Sequence, residues 1–133
     1  MRALKIDAWS QTITEIELGD WQDYAPAIGH GCTMFTVAAY LPNGDALFVD
    51  DEGLLRPDQV DRVFRCPWHP EPLAGNGLII GTGPEGDSTD CKSEADIELA
   101  SKIQFGQLVK AQDLGPDAKE LFMLLSMLGG AIK

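Results

Sequence analysis

The chain has 133 residues, 44% of them hydrophobic, enough to bury roughly two-thirds of its unfolded surface in one core. Ten Lys and Arg stand against 21 Asp and Glu, a formal balance of −11, which repels phosphate backbones and anionic membrane surfaces and excludes nucleic acid and membrane as direct partners. Three cysteines, Cys32, Cys66 and Cys91, cannot all pair within the chain, and the opening MRALKIDAWSQT has no secretory apolar stretch, so a reducing cytoplasm is the expected setting.

In chain order, Ala3 to Ala8 alternates apolar and polar residues and Thr12 to Leu18 resumes the same period after a polar bend at Ser10-Gln11, which predicts an N-terminal β-hairpin. Asp20 to Ile28 suits one or two helical turns with Asp20 as the cap and Pro26 near an end. Thr33 to Leu41 is rich in branched and aromatic residues, Pro42-Asn43-Gly44-Asp45 turns the chain, and Ala46 to Val49 continues as strand. Asn-Gly between two such runs predicts an antiparallel pair.

Between Asp50 and Pro72 the periodicity breaks, with a short helix expected around Pro57 to Phe64, where Pro57 suits the first turn. Gly77 to Thr82 is apolar enough for a central strand. Ser93-Glu94-Ala95-Asp96 offers a cap for a helix running to Ala100, and Ile103 to Val109 forms a sixth strand candidate. Gly115-Pro116-Asp117 opens a C-terminal helix, within 110–133, whose apolar residues cover much of its circumference before Gly129-Gly130 stops it. So greasy a helix either sits deep in the monomer or packs on a second chain, with Leu121, Phe122, Leu125 and Leu128 as the interface candidates. Leu121 to Ile132 is the longest apolar block, well short of the roughly twenty residues a membrane span needs. The expected fold is α+β: a single domain over 1–133, with a largely antiparallel or mixed sheet of five or six strands, a few short helices and the C-terminal apolar helix.

Several stretches invite a chemical reading. LIIGTGPEGD, Leu78 to Asp87, holds a GxGxxG after a strand-like run. In a dinucleotide fold the third glycine opens a helix, but here Asp87 to Ser93 has no apolar periodicity. Pro84 removes an amide, and Glu85, Asp87 and Asp90 put negative charge where phosphate would sit. A strand leaving the core through a flexible turn is the simpler reading, and EGDSTD lacks the spacing of an EF-hand calcium loop. His30 and Cys32, with Cys66 and His69, make two short pairs of zinc-ligand type, a Cys2His2 set if the loops converge. The alternatives are unrelated loop residues with buried thiols, or a thiolate-imidazole pair. Asp50-Asp51-Glu52 reads as a solvated turn ahead of a magnesium site, and Trp9, Trp21 and Trp68 as covers for the core ahead of partner anchors. No cofactor is expected beyond this zinc option.

The opening MRALKIDAWSQTITEIEL, the segment LPNGDALFVDDEGLL and PLAGNGLIIGTGPEGDSTD together resemble a phage- and plasmid-borne bacterial family catalogued as a domain of unknown function, over about residues 1–105. The resemblance carries no activity. It implies an accessory protein of a mobile element, or of a bacterium carrying one, and His30, Cys32 and Cys66 to His69 match no pattern of that family. The expected function is therefore protein–protein binding or self-association through an acidic surface, without enzymatic activity. The same acidity reads either as a device for solubility or as a surface imitating DNA to occupy a basic protein. A small zinc-binding or thiol-dependent enzyme centred on Cys66 and His69 is the alternative, and a structural part of a virion a third.

Overall fold

The computed structural model describes residues 1–55 and 61–106. The polar bend near the N-terminus turns because the Asp7 carboxylate accepts the amides of Trp9 at 2.9 Å and Ser10 at 3.0 Å, a local side-chain turn that leaves the flanking residues extended. β1 (Arg2–Asp7) and β2 (Thr12–Glu17) pair antiparallel with Ala3 opposite Ile16 and Ile6 opposite Ile13, so the expected hairpin is present. Asp20 caps the next turn through the Gln22 amide at 2.9 Å, and Asp23 reaches back to the Gly19 amide at 2.6 Å. This reciprocal cap starts a 3₁₀ turn that runs into α1 (Tyr24–Ile28).

β3 (Phe35–Tyr40) and β4 (Ala46–Asp50) form the second hairpin, with a register shift between Val37 and Ala39. Its loop is Leu41-Pro42-Asn43-Gly44-Asp45: Leu41 N–H donates to Asp45 O at 2.8 Å, Gly44 N–H to Leu41 O at 2.9 Å, and Gly44 alone takes a positive φ, 94°. This is a type I turn closed by one left-handed residue, not the two-residue turn with both central φ positive that Asn-Gly suggests.

After a 3₁₀ turn at Gly53–Leu55 come β5 (Val63–Arg65), β6 (Leu73–Ala74), β7 (Gly77–Thr82) and β8 (Ser88–Thr89), then α2 (Ile97–Lys102) and β9 (Gln104–Gly106). Two expectations are corrected here. Val63 and Phe64 are extended, because they pair with Leu73–Ala74 on one side and Phe105–Gly106 on the other; residues 56–60 of the expected helix lie outside the described residues. The cap of α2 is Asp96, whose carboxylate accepts the Leu99 amide at 2.9 Å, and not Ser93. Of the sixth strand candidate, Gln104–Gly106 is extended as β9 and Ile103 caps the end of α2; its residues 107–109, and the C-terminal helical segment with Leu121, Phe122, Leu125 and Leu128, lie outside the described residues.

Every pairing among the described residues is antiparallel. The six-stranded sheet runs β2-β1-β7-β4-β3 with β8 on the far end of β7, and the three-stranded sheet runs β6-β5-β9. β7 is central, as its apolar sequence requires, with Ile79 between Leu4 and Leu47 and Leu78 between Lys5 and Phe48. This register sends alternate residues to opposite faces. Leu4, Ile6, Leu47, Val49 and Ile79 join Phe64, Leu73, Leu99 and Ile103 of the small sheet and α2 on one face. Ala3, Leu78 and Ile80 join Leu18, Tyr24 and Ile28 of α1 on the other. The architecture is α+β, and among the described residues no helix is long and apolar enough to cross a membrane.

Candidate functional site

The glycine-rich stretch resolves first. Gly83-Pro84-Glu85-Gly86-Asp87 repeats the loop of the β3–β4 hairpin: Gly83 N–H donates to Asp87 O at 2.7 Å, Gly86 N–H to Gly83 O at 3.0 Å, and Gly86 takes φ 82°. It joins β7 to β8, and no helix follows the third glycine to aim amides at a phosphate. Gly81 is required for packing instead, since a Cβ there would stand 2.1 Å from the Asp90 carbonyl oxygen. Asp90 itself accepts the Arg2 amide at 2.8 Å.

The Cys/His pairs are separated by the sheet. Cys66 belongs to the cluster on one face, Cys32 packs against the cluster on the other. His30, in a left-handed conformation at φ 52°, stacks its ring on Trp9 at 3.4 Å with 7° between planes. The His69 ring faces the backbone of Glu71, whose amide donates to Nδ1 at 3.2 Å in the tautomer that leaves that nitrogen bare. Among the described residues no three His, Cys, Asp or Glu side chains assemble as a metal group. Burial pushes the Cys66 thiol up, against a smaller opposing pull from the amides of Trp68 and His69; a nucleophilic thiol needs the reverse.

His69 instead lines a cleft of about 470 Å³ beside β3, with Thr36, Val37, Asp51, Glu52, Leu55 and Glu71. The walls contribute four carboxylates, Asp50, Asp51, Glu52 and Glu71, and no Lys or Arg among the described residues. Of the acidic run, Asp51 and Glu52 are exposed, as expected of a solvated turn. Asp50 is buried and accepts the Glu52 amide at 2.9 Å, so this part of the expectation is corrected. The hydrogen bond from Asp51 N–H to Met34 O, 2.9 Å, places the acids at the start of β3.

The two outer strands of the large sheet differ in character. β2 ends the sheet with Glu15 and Glu17, both exposed, charge of the kind that discourages further strand pairing. β3, FTVAAY, ends it on the other side with no charge at all, and Met34 (58% exposed), Val37 (36%) and Tyr40 (62%) open to solvent. Among the described residues β3 pairs only with β4. Sequence reasoning missed this edge entirely.

A second cleft, about 310 Å³, lies between the β3–β4 loop and α2, lined by Pro42, Asn43, Trp68, Lys92, Glu98 and Lys102 among others. Its floor is structural. Asp45, fully buried, accepts the Lys92 amide at 3.1 and 3.0 Å, the Ser93 amide at 2.8 Å and the Ser93 hydroxyl at 2.7 Å. Arg2 closes the far side onto Cys91 O at 2.6 Å and Ser93 O at 2.8 Å, with ion pairs to Glu15 and Glu94. Of the tryptophans, Trp68 packs on the core, Trp9 on His30, and Trp21 is 64% exposed. No family model, no curated protein and no solved structure matches the chain.

Proposed function

We propose that the protein is a single-domain accessory factor that acts by binding another protein through its acidic surface, in the cytoplasm of a bacterium or on behalf of a phage or plasmid. The setting rests on the resemblance of residues 1–105. The binding role is carried by the uncharged edge strand β3 lying against a cleft walled by carboxylates. An open row of backbone groups supplies adhesion, and the charge beside it supplies selection between partners. The apolar segment 110–133, with Leu121, Phe122, Leu125 and Leu128, is the second contact region in this reading.

The test is capture on the immobilised chain from bacterial lysate, followed by mass spectrometry, with a charge-reversed Asp51→Lys/Glu52→Lys variant beside it. Specific proteins of basic character are expected at low salt, lost above about 0.5 M, where screening extends only a few ångströms, and lost on the variant. Identical capture on both forms, or none on either, refutes the reading.

A further inference from the structure

We propose that the occupant of the β3 edge is an extended, basic segment of the partner, which adds to the large sheet as its next strand; this rests on the protein-binding reading above. Three observations converge on it. β3 is at the end of the sheet and pairs with β4 alone among the described residues. Its exposed Val37 and Tyr40 are apolar, so an added strand meets no charge along the backbone row. The cleft beside its first half carries the exposed Asp51, Glu52 and Glu71 without a described Lys or Arg.

Strand addition gives affinity through main-chain hydrogen bonds, while alternate side chains of the incoming segment enter the flanking surface and give specificity. The acids lie where Asp51 N–H meets Met34 O, so lysine or arginine is required on the part of the segment that runs past Met34 to Thr36. Apolar residues are required on the part that runs past Val37 to Tyr40. A second copy of this chain would offer the same neutral strand but adds another formal −11, which opposes association at low salt. The occupant is therefore the basic segment rather than a twin.

The probe is a short fluorescent peptide with lysines over one half and valines over the other. Its control has the same charge with proline at alternate positions, which removes the backbone donors. Anisotropy is read at about 50 mM salt, where the Debye length still exceeds ~10 Å. The valine–lysine peptide is expected to bind. The proline peptide and the Val37→Lys and Thr36→Lys variants are each expected to weaken binding at least about tenfold, or about 1.4 kcal/mol, with the melting temperature of the variants unchanged. Both substituted positions are exposed, so folding is not at stake.

If both peptides bind equally and the β3 variants change nothing, strand addition is overturned while binding through the acidic surface stands. If neither peptide binds, both readings fall. A stable low-salt dimer that Val37→Lys dissociates assigns the edge to a second copy and overturns the basic segment.

Discussion

Asp45→Ala should be among the most damaging single substitutions in the described structure. The carboxylate has no exposed surface and receives the Ser93 amide, the Ser93 hydroxyl and both contacts of the Lys92 amide, which tie the β3–β4 loop to the segment entering α2. Hydrogen bonds to a charged acceptor are each worth about 1.5–3 kcal/mol net. The two Ser93 bonds lie in buried surroundings, whereas Lys92 is exposed and water can replace its partner. Taking the lower end for the Ser93 groups and a fraction of it for Lys92 gives a loss of about 4 kcal/mol, a large part of a stability on the order of 10 kcal/mol. The melting temperature should fall by roughly 15 °C. Asp45→Asn, which keeps an acceptor oxygen but turns an NH₂ toward donor amides, should fall between. The control is built into the chain: Asp87 occupies the same place in the same loop type but is exposed, so Asp87→Ala should change stability by no more than about 0.5 kcal/mol. Urea and thermal unfolding by circular dichroism measure both. Equal losses at the two positions would show that the loop itself, and not the buried carboxylate, carries the stability.

The glycines of the β7–β8 hairpin separate two effects in the same assay. Gly81→Ala places a Cβ against the Asp90 backbone and should cost about 3 kcal/mol, whereas Gly86→Ala meets nothing within 4 Å and strains only a φ of 82°, about 1 kcal/mol. A reversed order would discard the packing explanation. Acid should erase the contribution of Asp7. Burial pushes its carboxyl up, but the Ser10 and Trp9 amides and then Lys5 outweigh that and leave it below the usual range. With the folded value depressed, its stabilisation is complete above the unfolded value of about 3.9 and disappears as pH falls through the folded one. The urea midpoint gap between wild type and Asp7→Ala should thus be widest near neutral pH and narrow toward strong acid; a gap that grows in acid would reverse the sign assigned to these bonds.

Local chemistry made the hairpins legible. Asp20, Pro42-Asn43-Gly44 and the apolar run Gly77 to Thr82 act through their own neighbours, and a cap, a turn and a central strand stand at those places. Residues whose role comes from distant partners were not legible. Val60, Val63 and Phe64 are spaced like a helix face, yet Val63 and Phe64 are extended because Leu73, Ala74 and Phe105 pair with them, a case of tertiary pairing overriding local pattern. Ser88-Thr89 has no apolar residue to announce a strand, and β8 exists only because Gly81 lets it approach. The candidate site is the extreme case. That β3 is an edge follows from β7 entering the sheet between β1 and β4, an order that no periodicity within β3 encodes. The acids were visible as a run, but their position against an open strand was not.

An uncharged edge such as β3 is a hazard in any concentrated solution, because it is a template for a second copy of itself. β2 meets that hazard locally, with Glu15 and Glu17, and β3 does not. The formal −11 supplies what the strand lacks: it holds copies apart over roughly a Debye length while drawing in basic chains. Charge is then both the guard of the edge and its selector. The two roles separate under salt, since screening weakens repulsion between copies and attraction to a basic segment together. The mass measured by light scattering should be that of a monomer at about 20 mM salt and rise at about 500 mM, where the Debye length drops below ~5 Å. Val37→Lys should abolish the rise by placing a cation on the exposed strand. A mass that ignores salt would mean the edge needs no electrostatic guard, and a rise that survives Val37→Lys would move the contact to another surface.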